Sequence, residues 1–224
     1  MFSRLETMLR MIRLNPVSGI IYIVSMAAAI LISLILHECA HGYVAYRCGD
    51  PTAKMLGRLS LDPRKHLDPL GTLCMVVLGI GWAKPVPVNP RNFGNFRRDD
   101  FLVSIAGIVT NLLLFLLSTA LLVGTIQFNN TMVGGYVNDF LYMLSSINLS
   151  LALFNLLPIP PLDGYHLVND TLLHGKLQLN REQFRICQLI LLAICMTGTL
   201  SRLLGSAHSA IYSAVLNFFW GMVH

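Results

Sequence analysis

His37, Glu38 and His41 form an H-E-x-x-H pattern, with Cys39 and Ala40 at its variable positions. It follows an uncharged apolar run from Ile20 to Leu36. On a helix, residues four apart share a face, so His37 and His41 can grip one metal ion. Glu38 lies about a third of a turn around from His37. There it can take a proton from a metal-activated water. A charged group at bilayer depth costs about 2.5–3.5 kcal/mol or more, so a carboxylate and two imidazoles in such a run mark a functional site.

Two histidines do not complete a catalytic zinc site, which typically has three protein ligands and keeps a fourth position for water. The third ligand should be a His, Asp or Glu held at membrane depth, and the later apolar spans hold few of these. Asp163 is the outstanding candidate. It follows an apolar run that ends in Leu157-Pro-Ile-Pro-Pro-Leu-Asp-Gly164. Pro158, Pro160 and Pro161 break the helix there, and the freed backbone makes a polar pocket. The competing reading is that Asp163 caps a helix from Gly164 onward. His166 is the rival ligand. Cys39 reads as a small buried hydrophobe rather than a ligand.

The elements that must position these groups belong to a membrane. The chain has 224 residues, of which 54% are hydrophobic and only 12% charged. A soluble domain carries about 25% charged residues. The net charge of +5 fits loops facing cytoplasm and anionic lipid. Nucleic acid is excluded as a partner, because no basic run is interleaved with exposed aromatics. Five cysteines without a C-x-x-C argue against a disulfide framework.

Residues 1–15 place Phe2, Leu5, Met8, Leu9 and Ile12 at helical spacing among arginines, which predicts an interfacial amphipathic helix. Residues 16–224 then form a single transmembrane domain. Its first span runs from about Val17 to Tyr46, with the metal motif at its C-terminal end. Residues 47–69 are polar, and Leu56 to Leu61 alternates well enough for a short strand. His66 and Asp68 read as solvated loop residues. Leu70 to Ala83 is apolar but too short to cross comfortably, which suggests a re-entrant element. The prolines of Lys84-Pro-Val-Pro-Val-Asn-Pro90 impose an extended edge segment. Further spans are expected over about 101–127 and 140–157, separated by a Gly/Asn-rich turn over 128–138. Two shorter apolar segments, about 186–200 and 206–223, are separated by Arg202. The fold class is therefore an all-α polytopic membrane protein. It has about five to six transmembrane or re-entrant helices and a short membrane-associated β/extended segment.

Lys and Arg enrich 47–69, 84–100 and 165–185 and are missing from 128–138. This places the first three segments, and the metal motif beside them, toward the cytoplasm. The N-terminal arginines then fall on the opposite side.

His37-Glu38-Cys39-Ala40-His41 together with Asn155-Leu-Leu-Pro-Ile-Pro-Pro-Leu-Asp163-Gly164 resembles the site-2 protease family of intramembrane zinc metalloproteases. Gly49-Asp-Pro-Thr-Ala-Lys54 and the run from Gly81 to Phe93 resemble its compact prokaryotic branch, without PDZ or CBS modules. The resemblance implies one zinc per chain, bound by His37, His41 and Asp163, with Glu38 as general base. It implies cleavage of peptide bonds within or beside transmembrane segments, in a prokaryotic plasma membrane. Ala106-Gly107-Ile108-Val109-Thr110-Asn111 matches the family's A-G-P-x-x-N pattern without its proline. The resemblance makes Asn111 a candidate for binding the substrate carbonyl or oxyanion; an interhelical hydrogen bond is the other reading. Tyr165-His166 stands where the family usually continues Gly-Arg. The partners implied are a transmembrane protein substrate and the lipid bilayer, with a homo-oligomer or membrane regulator left open.

A substrate helix must unwind before attack, and 56–61 and 84–90 are candidate edges for it to pair with. Two other function classes compete. A membrane metal transporter would need ligands on several spans and a path across. An inactive membrane scaffold would show loss of Glu38 or of a ligand.

Overall fold

Asn15 and Pro16 punctuate the first turn of the chain. Proline suits the first position of a helix, and the Asn15 side chain accepts a hydrogen bond from Ser18 N at 3.2 Å. The helix α1 (Ser3–Leu14) therefore ends there, and α2 (Pro16–Arg47) begins. The computed structural model describes residues 3–78, 83–177 and 179–223. α1 folds back on α2, and Met8 is buried against Met26, Ile30 and Leu34.

Three short helices follow: α3 (Thr52–Met55), α4 (Pro63–His66) and α5 (Pro69–Leu78). The remaining helices are α6 (Phe96–Thr125), α7 (Met132–Asn155), α8 (Asp163–Thr171), α9 (Arg181–Met196) and α10 (Thr199–Val223). The described residues contain no strand. α2, α6 and α7 pack together as the central bundle. Asn148 on α7 ties this bundle by donating to Ser33 Oγ on α2 at 2.9 Å.

Three helical stretches are long and apolar enough to cross a membrane: Pro16–Arg47, Phe96–Phe128 and Met132–Asn155. The pair α9 and α10, bent by 71°, makes a fourth if taken as one broken span. A total of six is reached only by adding α5 and separating α9 from α10. At ten residues α5 is too short to cross by itself. Residues 79–82, which complete the expected re-entrant stretch and include Gly81 and Trp82 of the resembling run, lie outside the described residues.

Several expectations are corrected. Residues 56–61 form turns and bends rather than a strand, because they have no partner strand to complete a ladder. The turn before α7 is shorter than expected. The Thr131 side chain caps Gly134 N at 2.9 Å, so the glycines of 134 and 135 belong to the helix. α9 ends at Thr197 and Gly198, whose φ of +70° is a conformation that glycine adopts without strain, and Arg202 lies inside α10. His66 is fully buried, not solvated. Its Nε2 donates to Ser60 O at 2.6 Å, and burial holds its pKa below the ordinary histidine value. Asp68 accepts from Gly71 N and so supports the first turn of α5.

The segment from Ala83 to Asn89 is extended, as the prolines require, and is tied to its surroundings at both ends. Lys84 N donates to His66 O, and Asn89 N donates to Asp50 Oδ2. Arg58 donates to the carbonyls of Lys84 and Pro85 at 2.9 and 3.0 Å.

Asp50 organises this loop layer. Its buried carboxylate accepts from Thr52 N, Thr52 Oγ1, Asn92 Nδ2 and Asn89 N. Burial alone would push its pKa up, but these hydrogen bonds outweigh burial and hold it below the ordinary value. Its contribution is thus present above the ordinary carboxylate pKa and is lost as pH falls through the folded value. Asp50→Asn should lower the melting temperature in detergent at neutral pH, costing about 1.5–3 kcal/mol. The gap to the wild type should narrow as the pH is lowered.

Candidate metal centre

α2 runs unbroken through a long apolar stretch, and its C-terminal part carries His37, Glu38 and His41 into the bundle. His37 and His41 are one turn apart and both buried. His41 Nδ1 donates to the Val103 carbonyl of α6 at 2.7 Å. That bond assigns the proton to Nδ1 and leaves the Nε2 lone pair free to bind a metal. His37 Nε2 lies 2.9 Å from His41 Nε2.

Asp163 arrives from the far side of the chain as the first residue of α8. Its Oδ2 lies 3.4 Å from His37 Nε2 and 3.4 Å from His41 Nε2. This oxygen is buried and has no hydrogen-bond partner. Ligand atoms about 2.0–2.1 Å from a tetrahedral ion lie roughly 3.3 Å apart. The three donor atoms therefore fit one zinc ion with a fourth position open. Among the described residues they are the one group of three or more His, Cys, Asp or Glu close enough to hold a metal.

Two glycines make this convergence sterically possible. A Cβ at Gly107 would stand 2.5 Å from His37 Cε1 and 2.5 Å from His41 Nε2. α6 thus presents a bare backbone surface where the imidazoles must sit. A Cβ at Gly164 would collide with the carbonyls of Leu156 and Leu157. Only a residue without a side chain lets α8 start this close to the end of α7.

Glu38 is oriented from outside the helix bundle. Its Oε2 accepts a hydrogen bond from Val86 N at 2.8 Å. Pro85 and Pro87 keep this stretch extended, so the Val86 N–H is free of helix or sheet and available to the carboxylate. The Arg58 guanidinium fixes the same stretch through the Lys84 and Pro85 carbonyls. Cys39 is turned away from the three donor atoms and donates to Ser60 O at 3.3 Å.

Asn111 lies one turn beyond Gly107 on the same face of α6. It is fully buried, and neither its Oδ1 nor its Nδ2 has a partner. The interhelical hydrogen bond expected as one of its two readings is not formed. His166, the rival ligand, is not in the cluster. Its Nδ1 pairs with Asp100 Oδ2 at 3.0 Å.

Sequence reasoning did not single out the Val103 carbonyl, the Val86 amide, Arg58 or Asp100. A backbone group has no residue signature. The alternating prolines around Val86 are the one signal that marks an amide left without a regular partner.

A bundle of apolar helices around a buried pair of imidazoles and a carboxylate makes a candidate metal centre at membrane depth. A model for peptidase family M50 matches residues 122–198, the stretch that runs through Asp163. YwhC of Bacillus subtilis is 46% identical over 158 residues, which cover 69% of this chain and 71% of that protein. Rip2 of Mycobacterium tuberculosis is 36% identical over 151 residues, 63% of this chain and 55% of that protein. MJ0392 of Methanocaldococcus jannaschii is 28% identical over 174 residues, 77% of this chain and 42% of that protein. The first two carry the name putative zinc metalloprotease and the third the name zinc metalloprotease. The chain belongs to peptidase family M50, the site-2 proteases, and is an integral membrane member of it. It spans about half the length of the mycobacterial and archaeal relatives. No solved structure matches it.

Gly107→Ala tests the steric argument. The variant should keep its helical circular dichroism and lose most of its bound zinc, measured by elemental analysis of the purified protein.

Proposed function

We propose that this chain is an intramembrane zinc metalloprotease that hydrolyses peptide bonds within or beside transmembrane segments of membrane-protein substrates. The observation that carries the reading is the convergence of His37, His41 and Asp163 on one point inside a bundle of apolar helices. One zinc per chain fits this single cluster. A metal transporter would need further ligand groups along a path, and the described residues hold no second cluster of this kind.

Zinc held by these three residues would polarise a substrate carbonyl and make a water acidic enough to attack near neutral pH. Glu38 takes the proton of the attacking water and passes it to the leaving amine. The Val86 N–H keeps one carboxylate oxygen occupied, so the other is the proton acceptor. Asn111 donates its amide to the substrate carbonyl oxygen as negative charge develops there. A buried amide with no internal partner suits this role, because nothing must be broken before it can bind.

The basic loops of residues 47–69 and 84–100 adjoin the same end of α2 and α6 as the cluster. Their positive charge supports a site that opens toward the cytoplasm. The substrate is then a membrane protein whose helix unwinds near its cytoplasmic end, as regulated intramembrane proteolysis requires.

The test pairs the wild type with Glu38→Gln and Asn111→Ala, purified in detergent and offered a single-span substrate. Both variants should hold zinc as the wild type does. Cleavage by Glu38→Gln should fall by about 10²–10⁴-fold. Asn111→Ala should lose about 10²–10³-fold, mainly in kcat. Zinc binding without cleavage by the wild type, or undiminished cleavage by Glu38→Gln, would overturn the reading.

A further inference from the structure

Asp163 is the least anchored of the three candidate ligands. The two histidines ride on α2, which α6 and α7 grip along much of its length. Asp163 instead opens α8, a helix of nine residues. Leu162 caps that helix without any side-chain hydrogen bond. Asp163 Oδ2 has no hydrogen-bond partner of its own. The position of the third ligand therefore follows the position of α8.

α8 docks on α6. Residues 163, 166 and 170 are spaced so that they share one face of α8. Two polar contacts join this face to the first turns of α6. His166 Nδ1 meets Asp100 Oδ2 at 3.0 Å, and Arg97 donates to the Asp170 backbone carbonyl at 3.0 Å. Arg97 also donates to His174 Nδ1 at 2.7 Å, just beyond α8. Among the described residues His166–Asp100 is thus the one ion pair between the two helices. Asp100 lies three residues before Val103, whose carbonyl aims His41, and seven before Gly107, which makes room for both imidazoles. A single stretch of α6 therefore meets the surroundings of all three ligands.

We propose that Asp100 is a positioning residue for the metal centre: through His166 it seats α8 on α6 and brings Asp163 onto the two histidines. This rests on the reading of His37, His41 and Asp163 as zinc ligands.

The charges around the pair support it. Burial would lower the His166 pKa, but the Asp100 carboxylate outweighs burial and raises it. His166 thus favours the cation that a buried Asp100 needs. Asp170 is the other carboxylate of the cluster, only 4% exposed and with neither oxygen hydrogen-bonded. Burial, followed by the nearby Asp100 charge, pushes it up to about 6. At pH 7.5, above that value, Asp170 is ionised, repels Asp100 and competes with it for His166, so it adds nothing to the clamp. Neutralising Asp170 should therefore leave the clamp intact, whereas breaking Asp100 or His166 should release it.

The experiment measures zinc affinity of the full chain in detergent at pH 7.5, by competition with a chromophoric chelator. Asp100→Ala and His166→Ala should each weaken zinc about 10–100-fold. The double variant should be no weaker than the worse single one, because both break one link. Asp170→Asn should stay within about twofold of the wild type. Zinc-free melting temperatures are read in parallel, so that loss of affinity is separated from general loosening. Should Asp100→Ala fail to fold, His166→Ala carries the test, since its side chain is 38% exposed and leaves little packing behind. Wild-type affinity in both single variants would overturn the proposal, as would additive losses or an equal loss in Asp170→Asn. A wild type that binds no zinc would overturn the ligand reading, and this proposal with it.

Discussion

The hydrogen bond from His41 Nδ1 to the Val103 carbonyl is the interaction on which the centre depends. A helix carbonyl already accepts from the amide four residues on, but it keeps a second lone pair. Here the residue four positions on is Gly107. Because that position has no side chain, an imidazole from a neighbouring helix can reach the carbonyl at all. One glycine thus sets the separation of α2 and α6, the tautomer of His41 and the space in which three donor atoms converge. Side-chain direction on a helix is enforced by its hydrogen-bond ladder, so this placement is as rigid as the bundle itself.

Polar groups at membrane depth must be answered within the protein. The chain answers them locally. Ser33 returns its hydroxyl to Ala29 O and accepts from Asn148. Glu38 takes the amide of Val86, which its flanking prolines keep out of regular structure. The extended segment is stiffened in turn by Arg58 and by the carboxylate of Asp50. Among the described residues, Asp163 Oδ2, His37 Nδ1 and both atoms of the Asn111 amide are left without partners near the cluster, and Arg58, His66, Asn148 and Asp170 hold the others. An unpaired buried polar group costs about 1–3 kcal/mol. The four atoms of His37, Asn111 and Asp163 carry that cost beside one point, which suits groups that await a ligand.

The fold class and the core of the site were legible in the sequence for different reasons. Long uncharged runs can only be helices in lipid, so α2, α6 and α7 could be read with good bounds at most ends. The i, i+4 histidines and the acid beyond a proline-rich break are side-chain signals, and side chains are what a sequence spells out. Residues 56–61 were misread because partial alternation looks the same whether or not a partner strand exists. The turn before α7 was overextended because Gly134 and Gly135 mark loops in water, whereas a bilayer favours helix there. His66 was taken as solvated because nothing local shows that Ser60 and Cys39 would enclose it. The pairing of His166 with Asp100 joins residues 66 positions apart, a relation that no local pattern carries.

The central claim is the donor set, and zinc X-ray absorption spectroscopy of the purified chain tests it most directly. Two imidazole nitrogens and carboxylate or water oxygens at about 2.0–2.2 Å, with no sulfur near 2.3 Å, are the predicted shell. The Asp163→Ala variant should lose an oxygen scatterer and keep both imidazoles. A sulfur ligand from Cys39, or a shell unchanged by the loss of Asp163, would contradict the account.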